Sequence, residues 1–279
     1  MAGMLYICAT PIGNLEDITL RTLRVLKEVD LIAAEDTRHS IKLLNHFEIT
    51  TPMTSYHEFN KYDKAKVLVE KMLAGTNIAL ITDAGTPAIS DPGEELVRQC
   101  LEAGVEVTSL PGPSAFVTAL TLSGKKTRRF CFEAFLPYDK KERGEVLSEL
   151  KKETRTILLY EAPHKLKRTL ADLYEVLGDR PVSIVKELTK KYETNLRTTL
   201  GKAIAYYEEE EPRGEYVLVI EGADRETLKE EEMKPFLEMT VPEHVQYYID
   251  QGMDKKSAMK QVAKDRGVGK REIYQALLE

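Results

Sequence analysis

Four short stretches hold the residue types that could shape a ligand site: ATPIGN (residues 9–14), AEDTR (34–38), DAGTPAISDPG (83–93) and LPGPSA (110–115). Each follows an apolar run, so each sits where a strand would end. Three of them combine Gly and Pro, which fix a backbone, with hydrogen-bonding side chains. AEDTR adds two acids and an arginine. None matches GxGxxG at the first strand–helix turn or GxxxxGK[ST], so nucleotide phosphate binding of either common type is unsupported. What they offer is a wall of exposed amides and carbonyls with few charges. Such a wall suits a flat heterocycle with an amino-acid moiety better than a polyphosphate. A plain turn needs one or two of these residues. Residues 83–93 hold two glycines and two prolines, enough to fix several residues against something that lies on them.

The elements that must carry these loops follow from periodicity. LYICA (5–9), LIAAE (31–35) and the runs NIALITD and VEVTSLPG are apolar on nearly every residue, and helical patterns separate them, including 15–30 and 38–47. That alternation predicts a largely parallel sheet covered on both faces, and in such sheets ligands bind outside the carboxyl ends of the strands. Residues 1–122 therefore read as one α/β domain. A second α/β unit is expected over 123–223, with hairpin-like connections late in it, then an acidic linker (224–239) and a small helical tail (240–279). The chain has 279 residues and a formal net charge of −6, which argues against a protein that grips nucleic acid with its whole surface but leaves room for a local basic patch. Cys8, Cys100 and Cys131 lack metal-ligand spacing and read as buried reduced thiols, and no metal is expected. The start MAGMLYICATPIG has no basic n-region, and no run approaches a membrane span. A cytoplasmic protein is expected.

TPIGNLEDIT, AAEDTRHS, TDAGTPAISDPG, LPGPSA and YEAPHK occur in this order. As a set, they make the chain resemble the tetrapyrrole-methylase-type S-adenosylmethionine methyltransferases, and among them those that act on small-subunit ribosomal RNA. The resemblance spans the whole chain. It implies two α/β domains with S-adenosylmethionine in the cleft between them, and 2′-O-methylation of a cytidine ribose in the decoding region. Carried over position by position, it assigns cofactor contacts to Pro11, to Asp83, Gly85, Thr86, Pro87 and Ile89, to Ser114 and Ala115, and to Tyr160 and Glu161. Threonine stands at 86 where the family has an acid, and alanine at 162 where serine is more usual.

A ribose hydroxyl is a poor nucleophile while protonated, so a general base or a nearby cation should assist it. The candidates in strand-end loops are Glu35, Asp36, His57, Lys186 and Glu187, and the sequence leaves the choice among them open. Arg38 could contact a phosphate. A cytidine inside folded RNA must be splayed out to reach a buried methyl group, and KKTRR (125–129), KKETR (151–155), HKLKR (164–168) and TKK (189–191) are basic rims that could meet its strand. In the tail, residues 254–271 hold seven Lys or Arg against two Asp. They read as a helix-turn-helix whose Lys255, Lys256, Lys270 and Arg271 could grip phosphates. The expected partner is small-subunit ribosomal RNA in an assembled 30S subunit, and the resemblance implies a homodimer. The rival readings are a tetrapyrrole C-methylase of the precorrin type, which gives the basic tail no role, and a helix-turn-helix regulator that senses S-adenosylmethionine through a retired enzyme core.

Overall fold

The computed structural model describes residues 2–278. Its first part alternates strand and helix: β1 (Met4–Cys8), α1 (Leu20–Glu28), β2 (Leu31–Ala34), α2 (Thr37–His46), β3 (Met53–Ser55), α3 (Lys61–Leu73), β4 (Ile78–Ile81), α4 (Gly93–Glu102) and β5 (Glu106–Leu110). The five strands pair in the order β3-β2-β4-β1-β5, all parallel. Alternation within each strand sends residues to two cores. Leu5, Ile7, Ile78 and Leu80 pack with Leu68, Met72, Leu96 and Cys100 of α3 and α4. Cys8, Ile32, Ala79 and Ile81 pack with Val25, Leu26 and Leu44 of α1 and α2. The helices after β1 and β2 thus cover one face and those after β3 and β4 the other. Strand β4 lies between β1 and β2, so the chain switches faces on both sides of it, and a crevice opens above its carboxyl end.

The second part runs α5 (Ala115–Ser123), β6 (Phe130–Phe132), α6 (Lys140–Lys151), β7 (Thr156–Glu161), α7 (Pro163–Leu177), β8 (Pro181–Lys186), β9 (Thr194–Thr199), α8 (Leu200–Glu209) and β10 (Tyr216–Ile220). Its sheet has the order β6-β7-β10-β8-β9. Only β6 and β7 are parallel; β10 is antiparallel to both its neighbours, and β8 and β9 are antiparallel as well. One face carries Ile157, Leu159, Val182, Ile184 and Leu218 against α6, α7 and α8. The other carries Leu158, Val217 and Val219 against Ala119 and Leu120 of α5. The boundary expected at residue 122 therefore falls inside α5, a helix that packs on the second sheet. All three cysteines are buried, unbridged thiols.

Contacts divide the chain into two compact units. The first carries both sheets and ends at Glu221; the second holds the residues from Gly222 onward together with Lys151–Thr154. In the second unit most of the stretch expected as a linker is a helix, α9 (Arg225–Glu238), capped by Asp224, whose carboxylate accepts from the Glu226 and Thr227 amides. Three short helices follow: α10 (Val241–Asp250), α11 (Lys255–Asp265) and α12 (Lys270–Ala276). Val245, Ala258, Val262, Ala263 and Ile273 form their core. His244 is fully buried beside it, with its ring stacked 4.7 Å from Phe236. Arg266 donates to His244 Nδ1 and to the carbonyls of Phe236 and Met239, so this one of the seven basic residues is an internal brace. Burial and the Arg266 charge hold the His244 pKa down, against a smaller pull from Asp265. No helix among the described residues is long and apolar enough to cross a membrane.

Candidate active site

A cavity of about 680 Å³ opens at the carboxyl ends of the first sheet and reaches across to the second. Its first wall is mostly backbone. The loop after β1 meets the loop after β4 through paired hydrogen bonds: Thr10 N–H donates to Gly85 C=O at 2.9 Å, and Gly85 N–H donates to Thr10 C=O at 3.0 Å. Gly85 has φ +85°, which a side chain would disfavour. Farther along, Ala88 (φ +66°) and Ser90 (φ +64°) also lie in the left-handed region, at a cost of roughly 1–2 kcal/mol each. Asp91 offsets part of that strain, since one carboxylate oxygen accepts from both Ala88 N–H (2.9 Å) and Gly93 N–H (2.7 Å). Burial raises the pKa of that carboxylate despite these bonds. Thr86 donates to Pro113 C=O, tying this loop to the start of α5. Ser114 caps α5 without a side-chain hydrogen bond, so the helix opens beside the cavity; the Tyr160 hydroxyl accepts from the Phe116 amide, and the Ala115 end of the helix faces a ligand.

The second wall is mostly side chains. Phe135, Tyr160, Glu161 and His164 line it, with Val185 and Val217 behind them. Glu161 is buried, accepting from Ala162 N–H and from Thr169 Oγ1. Thr169 in turn accepts from Arg143 Nη2 (2.8 Å), and Arg143 Nε donates to Asp172 (2.7 Å). A buried arginine thus fixes, through one hydroxyl, the carboxylate at the end of β7. The two lobes touch where Gly13 approaches the loop after β8: a Cβ there would lie 2.9 Å from Leu188 C=O.

One acidic pair enters from the first lobe. Thr82 Oγ1 donates to Glu35 at 2.6 Å, and Glu35 and Asp83 both line the cavity. Burial, then the Glu35 charge, pushes the Asp83 carboxyl above its ordinary value. Asp83 holds its proton more readily than a free carboxylate does, which suits a group that must accept one.

Of the ten residues expected to contact the cofactor, Asp83, Gly85, Thr86, Ile89, Ser114, Ala115, Tyr160 and Glu161 line this one cavity. Pro11 and Pro87 belong to the same two loops but stand off its wall. Glu35 is the single base candidate that reaches it. Asp36 instead caps α2, accepting from Arg38 N–H and pairing with the Arg38 guanidinium, which holds its pKa down to about 2. Arg38 itself is exposed on that pair. His57 turns toward Asn60 at the start of α3. Lys186 points opposite to Val185, whose side chain lines the cavity. Glu187, at φ +53°, accepts from Glu215 N–H and from Lys190 Nζ. These contacts lower its pKa although partial burial opposes them. Four cations of the basic rims are paired with acids: Lys125 with Glu221, Lys167 with Glu211, Arg168 with Asp172, and Lys190 with Glu187 and Glu215. Lys255, Lys256, Lys270 and Arg271 are exposed on the tail helices. Sequence reasoning passed over Phe135, Glu215 and the Arg143–Thr169 relay, and it placed His164 only within the HKLKR rim. FCFEAF reads only as an apolar, strand-like run, and no periodicity marks a buried arginine within KKERGEVLSELK.

The fit to S-adenosylmethionine is testable on the walls themselves. The cavity volume lies within the roughly 300–1,000 Å³ of small-molecule sites. Ile89 leaves 43% of its surface uncovered on the wall, an apolar area a flat heterocycle would bury. The α5 amides suit a carboxylate. The residues present fit the group.

Two lobes, a switch-point crevice and a ligand wall of shaped backbone define an α/β enzyme that works on a small molecule held at its strand ends. Comparison narrows the class. The sequence model of the Tetrapyrrole (Corrin/Porphyrin) Methylases matches residues 4–204. A "Ribosomal RNA small subunit methyltransferase I" from Halalkalibacterium halodurans is 51% identical, over 98% of this chain and 93% of the relative. The Bacillus subtilis protein of the same name is 48% identical, over 98% and 94%. Among solved structures, a cobalt precorrin-4 methyltransferase aligns with TM-score 0.57 and 20% identity over 77% of this chain and 94% of its own, a likeness of fold. The chain belongs to the tetrapyrrole methylase family. It is an S-adenosylmethionine-dependent methyltransferase.

Proposed function

We propose that this methyltransferase acts on small-subunit ribosomal RNA, transferring a methyl group to the 2′-hydroxyl of a cytidine in the decoding region. The observation that carries the reading is near-full-length identity of about half to relatives bearing the ribosomal RNA name. The cavity supports it. Bound S-adenosylmethionine supplies a methyl group already activated on a sulfonium, so the protein has to align the acceptor and exclude water. Residues 85–91 and the start of α5 would hold the cofactor, with the uncovered face of Ile89 available to its heterocycle. Asp83 accepts the hydroxyl proton as the new bond to oxygen forms, and Glu35, locked to Thr82, supplies the charge that tunes it. The enzyme works as a cytoplasmic homodimer on the assembled 30S subunit, and the exposed cations of α11 and α12 grip phosphate. The precorrin-type and regulator readings are less favoured, since neither accounts for those relatives.

The test is a transfer assay with purified protein, labelled S-adenosylmethionine and small subunits that lack ribose methylation. Label on a cytidine 2′-oxygen is the expected result. Label on a precorrin-type substrate and never on RNA would falsify the proposal. Sedimentation at micromolar concentration tests the dimer, and a monomer would reject it.

A further inference from the structure

Four aromatic rings step outward through the second lobe. Phe116 stacks on Phe132 with ring centroids 4.5 Å apart, Phe132 meets Tyr160 edge-on at 4.9 Å, and Tyr160 meets Phe135 at 5.6 Å. The inner members are held. Phe116 N–H donates to the Tyr160 hydroxyl, and Phe116 and Phe132 pack against the core shared by α5 and the sheet. Phe135 is different: the residue is 51% exposed, and it lines the cavity.

The backbone makes that exposure deliberate. Ala134 sits at φ +51°, a conformation alanine disfavours, and its carbonyl is pinned by Tyr160 N–H at 2.7 Å. On the other side Leu136 is buried at 6% exposure. Phe135 is thus held between a tethered residue of positive φ and a buried anchor. Backbone strain of this kind clusters at ligand sites, and here it sits next to a large ring on the cavity wall. Close along the same rim, Tyr138 is 82% exposed with Lys165 Nζ 5.4 Å from its ring centroid, and the exposed His164 also lines the cavity. Exposed aromatics interleaved with cations are the chemistry that binds an unpaired nucleic-acid strand, with rings under the bases and cations on the phosphates.

We propose that Phe135 stacks on the base of the nucleotide whose ribose is methylated, and so positions that ribose at the cavity mouth. The inference rests on the RNA-methylation reading above. Stacking tolerates any base, so Phe135 would position the nucleotide while leaving its identity to other contacts.

The chain contains no tryptophan, so Phe135→Trp installs a single reporter. Its fluorescence should be quenched by a short single-stranded oligoribonucleotide carrying the target cytidine. It should not respond to the same strand with an abasic site there, nor to S-adenosylmethionine alone. In transfer assays Phe135→Ala should raise KM for small subunits by roughly tenfold, within the range alanine substitution gives for one stacked base. Affinity for S-adenosylmethionine should hold, and Phe135→Tyr should restore KM. Equal quenching by the abasic strand, or Phe135→Ala with the wild-type KM and kcat, would overturn the stacking role. Wild-type protein that transfers no methyl group to RNA would overturn the underlying reading instead, and the two failures look different.

Discussion

The two walls of the cavity are built on opposite plans. The first-lobe wall is backbone held in shape, with Gly85, Ala88 and Ser90 at positive φ and Thr86 tying the loop to Pro113 ahead of α5. The second-lobe wall is side chains held in place, with Tyr160 in a ring ladder and Glu161 on the Arg143 relay. A backbone surface has few degrees of freedom to lose, so it suits a ligand bound in every turnover, whatever the acceptor. A side-chain surface changes with each substitution, so it suits the part of the reaction in which relatives of one fold differ. The comparison teaches where to look for cofactor binding and where for acceptor choice.

The comparison breaks first at Asp83, a side chain on the backbone wall. If it accepts the proton, Asp83→Asn should lower kcat by about 10²–10⁴-fold, the usual worth of a general base. S-adenosylmethionine affinity, measured by calorimetry, should change little. The wild-type rate should fall as pH drops through the raised Asp83 pKa, because the carboxylate form is the active one. Glu35→Gln keeps an acceptor for Thr82 and removes the charge, so this acid limb should move down. It should move only part of the way, since burial is the larger cause. A folded state that raises an acid's pKa loses stability above it, so Asp83→Asn should also melt slightly higher. A variant with full kcat would send the search for a base elsewhere.

The side-chain wall is tested through its support. Arg143→Met removes one partner from a buried network, a change that costs about 3–5 kcal/mol in comparable sites. Chemical unfolding should read that loss directly. At temperatures where the variant stays folded, KM for small subunits should rise more than KM for S-adenosylmethionine. The reverse order would mean that Tyr160 and Glu161 serve the cofactor more than the acceptor, and would invert the comparison.

The backbone wall gives a smaller and cleaner effect. At Gly85 a Cβ would find Ile12 at 3.4 Å, ordinary contact, so the obstacle to Gly85→Val is φ +85° rather than space. The loop must shift to relieve it. Calorimetry should show S-adenosylmethionine affinity down by more than tenfold, about 1.4 kcal/mol. Thr86→Arg should act alike by losing its bond to Pro113 and filling the pocket. Unchanged affinity in folded variants would remove residues 83–93 from the cofactor site.

The same contrast explains what the sequence could disclose. The backbone wall was legible, because Gly and Pro are chosen for conformations that residue type alone reveals. Apolar runs likewise gave away the parallel sheet. The side-chain wall was not legible. Tyr160 and Glu161 came only through resemblance, and Phe135 and Arg143 not at all, since their roles arise from β10 inserting between β7 and β8 and from α6 packing on α7. The glycine and basic cluster in LTLSGKKTRRF put the expected boundary at residue 122, while AFVTALTLS, apolar on every side, does not disclose which sheet α5 covers. Lys186 looked like a cavity residue by position. Strand alternation gave that place to Val185.

The smallest effect belongs to the tail, which has neither kind of wall and offers only charge. Lys255, Lys256, Lys270 and Arg271 are exposed at the starts of α11 and α12, while the core below them is Val245, Val262 and Ile273. Reversing the four charges should therefore leave the helices folded, which circular dichroism can check. If they neutralise phosphates, RNA affinity should weaken and its log–log dependence on salt should flatten by roughly one unit per lost contact. S-adenosylmethionine affinity should not change, because the residues lining its cavity all precede residue 221. The measurement belongs above pH 7.5. With the pKa of buried His244 held down, the unfolded tail takes up a proton below about pH 6.5 that the folded tail refuses, so tail stability declines as acid is added. A reversed-charge enzyme with the wild-type salt slope would return phosphate binding to the rim around Tyr138 and Lys165.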